Sequence, residues 1–180
     1  MELSRSSLIF QNGERFSLLI NENGVPDFWT TLYLTTFYRS SMLETMRSVS
    51  NVLAHFKIWD NAQPLTFFNK VLKITEDSRS KTTDNLQRPL FIDVAEAQSL
   101  ARHCKLRTVA ARRRLAKTMH GTVKELQSAH PIEVLPDATV SVKQQRHRLR
   151  IISDFLCFVV ETALRKRPHF AFYLDSADNM

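Results

Sequence analysis

The fold is decided by residues 141–164, which read SVKQQRHRLRIISDFLCFVVETAL. Apolar residues recur here at spacings of three and four, which is typical of a helix with one buried face. At about 100° per residue, Lys143, Arg146, His147 and Arg150 fall on the other side. The stretch therefore predicts a long helix with an apolar back and a basic front. The predicted back consists of Leu149, Ile152, Leu156, Val159 and Ala163.

Two helices are predicted before residue 60. Pro26 and Asp27 lead into a helix over 28–34, because proline is tolerated in a first helical turn, and a break follows near Arg39. A second helix starts at the segment Ser41 to Glu44, which has the spacing of a capping box. Its apolar face is predicted to comprise Met42, Met46, Val49, Leu53 and Phe56.

The centre of the chain predicts two shorter helices. One begins at Pro64 and is followed by a polar loop over 75–88, and the other has a cap-like start at Asp93 and Glu96. His130-Pro131 and Leu135-Pro136-Asp137 then predict an irregular connection to the last helix. The side chains expected to be buried are Leu65, Phe68, Val71 and Leu72 in the first of these helices, and Ala97, Leu100, Ala101 and Cys104 in the second.

The N-terminal residues predict a β-hairpin. The apolar segments 8–10 and 16–20 flank Gln11-Asn12-Gly13-Glu14, and Asn-Gly is a strong turn signal. The expected fold class is therefore mainly α, a helical bundle with a short N-terminal β-hairpin.

Composition excludes several classes of protein. The 180 residues suit one domain, and no apolar run approaches the about 20 residues of a membrane span. The start of the chain lacks the pattern of a secretory signal, so we expect a reducing, cytoplasmic location in which Cys104 and Cys157 are small core residues. Three glycines leave little material for a phosphate-cradling loop, and the six histidines follow no metal-binding pattern. No cofactor or metal is expected.

The positive charge is confined to one part of the chain. Residues 99–150 carry 12 Lys and Arg against 3 Asp and Glu, while the remainder is close to neutral within a formal net charge of +7. Such a concentration is typical of a face that binds a polyanion, with nucleic acid the first candidate. A solvated basic surface without a partner is the alternative.

Two basic runs supply the candidate contacts. Arg112, Arg113 and Arg114 are consecutive and cannot share one helix face, so they either wrap a phosphate backbone from a loop or stay in water. Lys143, Arg146 and Arg150 form a stripe about 10 Å long on the last helix, with Gln144, Gln145 and His147 beside it as hydrogen-bonding groups. The predicted DNA-binding residues are Arg107, Arg112, Arg113, Arg114, Lys117, Lys143, Gln144, Arg146, His147 and Arg150.

The order of these motifs resembles the N-terminal part of bacterial site-specific integrases of the tyrosine recombinase (phage integrase) family. The resemblance covers residues 16–170 and rests on the hairpin, on GVPDFWTTL (24–32), on FKIW (56–59) and on RHRLRIISDFL (146–156). It implies a helical, SAM-like core-binding domain over 25–170 that closes on one face of double-stranded DNA. Residues 1–24 would be a hairpin extension and residues 171–180 the start of a linker to a catalytic domain.

The same resemblance implies partners and a location. A covalently linked C-terminal catalytic domain would complete the clamp, other recombinase protomers would join it, and the protein would act in the bacterial cytoplasm at the nucleoid. The family's catalytic residues belong to that second domain, so we expect a non-catalytic fragment. Asp27, Asp93 and Asp137 are interpreted as turn or cap residues.

Two rival functions remain open at this point. In the first, His147-Arg148-Leu149-Arg150 and Tyr173 form a minimal strand-transfer site, although one helical motif does not assemble the several cations that a phosphate clamp needs. In the second, the chain is a helical protein-interaction or regulatory module whose basic face meets an acidic protein.

Overall fold

The computed structural model describes residues 3–77, 92–120 and 138–165. The fold is mainly α with a two-stranded antiparallel hairpin at the N-terminus, which confirms the predicted class. The elements in chain order are β1 (Ser4–Ile9), β2 (Arg15–Ile20), α1 (Phe28–Tyr38), α2 (Leu43–Asp60), α3 (Phe67–Asp77), α4 (Val94–Cys104), α5 (Thr108–His120) and α6 (Val142–Arg165).

The hairpin forms where the Asn-Gly signal predicts it. Strands β1 and β2 pair from Ser4 opposite Ile20 to Ile9 opposite Arg15. Gly13 in the connecting turn has a φ of 81°, a conformation that residues with a Cβ rarely adopt. Backbone hydrogen bonds around Gly13 close the turn, so the chain reverses direction within a few residues.

Strand β2 shares its core with the helices. Phe16, Leu18 and Leu19 are buried, and the hydroxyl groups of Ser17 and Ser50 lie 3.2 Å apart between β2 and α2. Because a buried hydroxyl group needs a partner, this pair keeps an otherwise apolar contact free of unsatisfied polar atoms. The hairpin is thus packed on α2 rather than detached from it.

Helices α1 and α2 begin differently. The carboxylate of Asp27 caps α1 by accepting hydrogen bonds from the backbone N–H and the hydroxyl group of Thr30, at 3.0 and 2.6 Å. The predicted capping box at the start of α2 is wrong: α2 begins at Leu43, so its N-cap is Met42, which makes no side-chain cap bond and is 81% exposed. Ser41 lies one residue too early. The rest of the predicted α2 face, Met46, Val49, Leu53 and Phe56, is buried.

Helix α3 begins three residues later than predicted. Asp60, at the end of α2, accepts a hydrogen bond of 2.7 Å from the backbone N–H of Phe67 and so caps α3 from outside the helix. Helix α3 extends to Asp77, so the predicted loop over 75–88 starts too early, and its residues after 77 lie outside the described ones. Of the predicted buried residues, Val71 is buried, Leu65 and Phe68 are half-buried, and Leu72 is exposed.

Helix α4 confirms the cap-like start. The Glu96 backbone N–H donates to the Asp93 carboxylate at 2.7 Å, and the Asp93 backbone N–H donates to the Glu96 carboxylate at 3.1 Å. This is a complete capping box. Of the predicted buried side, Leu100 and Cys104 are buried, Ala101 is half-buried, and Ala97, in the first turn, is exposed.

Helix α6 packs across the apolar core, and its Phe155 ring contacts aromatic rings from three other helices. The ring of Phe155 lies 5.3 Å from that of Tyr33, 6.1 Å from that of Phe56 and 6.2 Å from that of Phe68, measured between centroids. These contacts join α1, α2, α3 and α6 in one apolar cluster. Cys157 is exposed, contrary to prediction, because two residues along a helix turn a side chain by about 200° away from Phe155.

Among the described helices, none is both long enough and apolar enough to cross a bilayer.

Some predicted features lie outside the described residues. The predicted irregular connection over 130–137, with Asp137, and residues 171–180, with Tyr173, lie outside the described ranges.

Candidate nucleic-acid interface

Helix α5 presents the consecutive arginines to solvent. Ala111 is buried, and Arg112, Arg113 and Arg114 after it are exposed. The run is helical rather than a loop, so its three side chains spread over about 200° around α5. Lys117 lies further along α5, and its side chain is outside the described part of the structure.

Helix α6 carries the predicted basic stripe. Lys143, Arg146 and Arg150 are exposed and lie within about 60° of one another around the helix, opposite its buried side. None of the three forms an ion pair with a carboxylate of the described residues. Gln144 and His147 are exposed beside them.

The structure brings the starts of the two helices together. Leu106 and Thr139 form an isolated antiparallel bridge. Around it, the Arg107 N–H donates to the Ala138 carbonyl oxygen at 2.7 Å, and the Val140 N–H donates to that of Lys105 at 2.9 Å. Helices α5 and α6 therefore begin at adjacent points, and we call their exposed cations the basic face. The basic face comprises Arg107, Arg112, Arg113, Arg114, Lys143, Arg146 and Arg150.

Two cations of the basic face lie at helix N-termini: Arg107 immediately precedes α5, and Lys143 is the second residue of α6. Neither α5 nor α6 has an acidic residue in its first turn, and Lys143 lies in the first turn of α6. A helix N-terminus carries partial positive charge, so a cation there costs about 0.3–1 kcal/mol, whereas an anion is stabilised. Two neighbouring N-termini and the exposed cations consequently favour a bound anion.

Acidic residues limit the basic face along α6. Asp154 and Glu161 are exposed on the same side of the helix as Arg146 and Arg150, but further toward its C-terminus. The basic part of α6 thus ends near Arg150, about 10 Å from Lys143. That length corresponds to a few phosphate steps along a nucleic-acid strand.

Arg148 is the residue that sequence reasoning missed. It belongs to the basic run, yet only 8% of it is exposed, and its Nη1 donates to the carbonyl oxygens of Cys104 and Leu106 at 3.1 and 2.6 Å. Its position was detectable in principle, since Arg148 precedes Ile152 by four residues and Phe155 by seven, a spacing that places it on the apolar side. Gln145 also turns inward, and its Nε2 donates to the Ala101 carbonyl oxygen at 2.8 Å.

Two histidines lie beside Arg148. His55 Nε2 is 3.1 Å from the His103 carbonyl oxygen, and His103 Nε2 is 2.9 Å from that of His55. Burial is the main reason why the pKa of His55 falls to about 3 and that of His103 to about 4, and the charge of Arg148 lowers both further. Both rings are therefore neutral at neutral pH. Burial also raises the pKa of the Cys104 thiol to about 11.

A second buried charged group has a structural explanation. Lys57 Nζ lies 3.0 Å from the Asp27 carboxylate and 3.6 Å from the centroid of the Phe68 ring. Burial lowers the pKa of Lys57 despite the attraction of Asp27. Asp27 caps α1, Lys57 lies near the end of α2, and Asp60 caps α3. These three charged residues therefore join three helix ends, and this structural role explains their burial without a substrate.

His147 and Arg150 of the H-x-x-R pattern are both exposed on α6. No group of three or more potential metal ligands occurs in the described ranges.

Comparison with known proteins gives no relative: no family model, no curated protein and no solved structure matches the chain. A proposal about function therefore rests on the geometry and charge of the basic face.

Proposed function

We propose that this chain is a DNA-binding module that holds double-stranded DNA with its basic face. The observation that carries the proposal is the junction at Leu106 and Thr139, which joins two helix starts whose exposed charges are cationic. Charge of one sign on adjacent elements attracts a ligand that carries negative charge at regular intervals, and duplex DNA carries one charge per about 1.7 Å of its axis.

The shape of the basic face also suits a duplex. A single α-helix fits the major groove, and the exposed cations of α6 follow one side of such a helix for about 10 Å. Gln144 and His147 lie beside them and supply side-chain hydrogen-bonding groups. Phosphate contacts by the arginines and lysines are proposed to provide most of the affinity.

The more specific proposal follows from the resemblance to tyrosine recombinases. A mainly α fold and a basic last helix agree with what that resemblance implies, and they support a core-binding domain that grips DNA without cutting it. A covalently linked catalytic domain and further protomers would then perform site-specific recombination.

Fluorescence anisotropy of a labelled duplex of about 30 base pairs tests the DNA-binding proposal. Six to eight phosphate contacts predict that log K falls with log salt at a slope of about −5 to −7. Replacing Arg146 and Arg150 by Glu removes two contacts, so we expect weaker binding and a slope that is shallower by about 2.

A matched control separates location from net charge. Arg5 and Arg15 are exposed on β1 and β2 of the hairpin and belong to neither basic helix, and replacing both by Glu changes the net charge by the same amount. This control should keep nearly the slope of the unmodified protein. Equal losses in both variants, or no binding at low salt, would show that the basic face is not a DNA surface and would favour an acidic protein partner.

A further inference from the structure

A buried junction lies directly under the basic face. It consists of His55 on α2, His103 and Cys104 at the end of α4, and Arg148 on α6. The two imidazole rings are 4.3 Å apart between centroids, and each ring nitrogen Nε2 faces the other residue's carbonyl oxygen. Three helices thus meet at one polar point inside an apolar core.

The hydrogen atoms of this junction can be assigned. Arg148 Nη1 carries two hydrogens, and the Cys104 and Leu106 carbonyl oxygens at 3.1 and 2.6 Å accept them. His55 Nε2, 3.2 Å from the same Nη1, then keeps its own proton and donates it to the His103 carbonyl oxygen. Every hydrogen on these two nitrogens has an acceptor, so Arg148 is committed to the backbone that follows α4.

That backbone forms the connection between α4 and α5. The last carbonyl groups of a helix have no partner within it and carry partial negative charge, so a buried guanidinium group is stabilised there. The Arg107 N–H and the Val140 N–H continue the same connection on the surface. Arg148 therefore ties the start of α5 to α6 from inside, while the bridge at Leu106 and Thr139 ties it from outside.

We propose that Arg148 is a positioning residue for DNA binding, which holds the basic segments of α5 and α6 at the spacing at which both contact one duplex. This inference rests on the function proposed above. Arg148 itself is too buried to contact phosphate, so its effect acts through Arg113 on α5 and through Lys143 and Arg146 on α6.

The direct test measures the spacing of the two helices without DNA. Val109 and Gln144 are exposed near the starts of α5 and α6, and both are replaced by Cys and spin-labelled in a Cys157→Ser background. Cys104 is fully buried and should not react. Double electron–electron resonance should give one narrow distance distribution, and Arg148→Lys should broaden it, because the lysine side chain is one bond shorter and its nitrogen does not reach the Nη1 position that contacts both carbonyl groups.

A double-mutant cycle tests the consequence for DNA binding. Arg113→Glu should weaken binding of the unmodified protein by about tenfold, but that of the Arg148→Lys protein by less than about twofold, since α5 no longer reaches the duplex. The salt slope of Arg148→Lys alone should become shallower by about 2 or more. Because lysine keeps the positive charge of Arg148, an unchanged slope would show that α5 still reaches the duplex and would contradict the positioning role.

A milder variant guards against loss of folding. Gln145→Ala removes the other side-chain hydrogen bond from α6 to α4 and should broaden the distance distribution in the same direction. Unchanged distributions in both variants, or an equal effect of Arg113→Glu in both backgrounds, would overturn the positioning role while leaving DNA binding intact. Absence of binding by the unmodified protein would overturn both proposals.

Discussion

Arg148 and Arg150 are two residues apart on α6, yet one is buried and the other is exposed. Their positions differ by about 200° around the helix, so one side chain meets the end of α4 and the other meets solvent. Burying a guanidinium group is unfavourable unless its hydrogen bonds are satisfied, and the Cys104 and Leu106 carbonyl oxygens meet this need. Arginine thus occupies both a buried, hydrogen-bonded position and an exposed position within a single basic run.

The buried histidines predict a stability that depends on pH. The pKa values of His55 and His103 are about 3 and 4 in the folded protein and about 6.5 in the unfolded chain. Below pH 6.5 the unfolded chain binds protons that the folded protein does not, so stability falls as the pH decreases toward 4. Urea unfolding between pH 7.5 and pH 5 should show a loss of up to about 1.4 kcal/mol per pH unit for each histidine.

A matched pair of variants tests this origin. His103→Gln removes one buried imidazole ring and should flatten the pH dependence, whereas His147→Gln alters an exposed ring and should leave it unchanged. If His103→Gln keeps the original slope between pH 6.5 and pH 5, the buried pair is not its cause.

At the scale of elements, the helices differ in how their first turns are capped and charged. Helix α4 starts with a complete capping box, α3 is capped from a distance by Asp60, and α2 starts without a side-chain cap. Helices α5 and α6 start beside cations that do not complement their dipoles. The start of α6 is nevertheless capped, since the Ser141 hydroxyl oxygen accepts a hydrogen bond of 3.2 Å from the Gln144 N–H.

The capping box of α4 predicts a measurable difference in stability. Asp93→Ala removes the acceptor of the Glu96 N–H and should reduce the free energy of unfolding by about 1 kcal/mol. Ser41→Ala is the matched control, since Ser41 forms no capping box on α2, and it should change stability by less than about 0.5 kcal/mol. Chemical denaturation of both variants checks the comparison, and equal losses would contradict the assigned caps.

At the scale of the whole molecule, a single apolar cluster connects the hairpin to the last helix. It contains Phe16 and Leu19 of β2, Phe56 of α2 and Phe155 of α6. The hairpin and the helical segment after residue 24 therefore depend on one another for burial, and we expect them to unfold together.

A core substitution in the hairpin tests this cooperativity. Leu19 is almost completely buried, so Leu19→Ala should reduce the free energy of unfolding by about 2–5 kcal/mol, with one transition for the hairpin and the helices. Ile9 is 67% exposed on β1, and Ile9→Ala should change stability by less than about 0.5 kcal/mol. Separate transitions by amide hydrogen exchange and circular dichroism would show that the hairpin is an independent extension.

Elements with local signals can be predicted from the sequence alone. Asn12-Gly13 marks the hairpin turn, Asp93 and Glu96 mark the start of α4, and the spacing of apolar residues separates the two sides of α6. Each of these signals acts between residues a few positions apart, so it can be recognised without knowledge of the fold. The missed start of α3 depends on Asp60, at the end of the preceding helix.

How these elements combine depends on contacts between residues that are far apart in the sequence. The contact of Arg148 with His55 joins residues 93 positions apart, and the hydrogen bonds between His55 and His103 join residues 48 apart. The bridge between Leu106 and Thr139 places two basic segments side by side. Such partners are selected by packing of the whole core, because a hydrogen bond between residues far apart in the sequence leaves no periodic pattern along the chain.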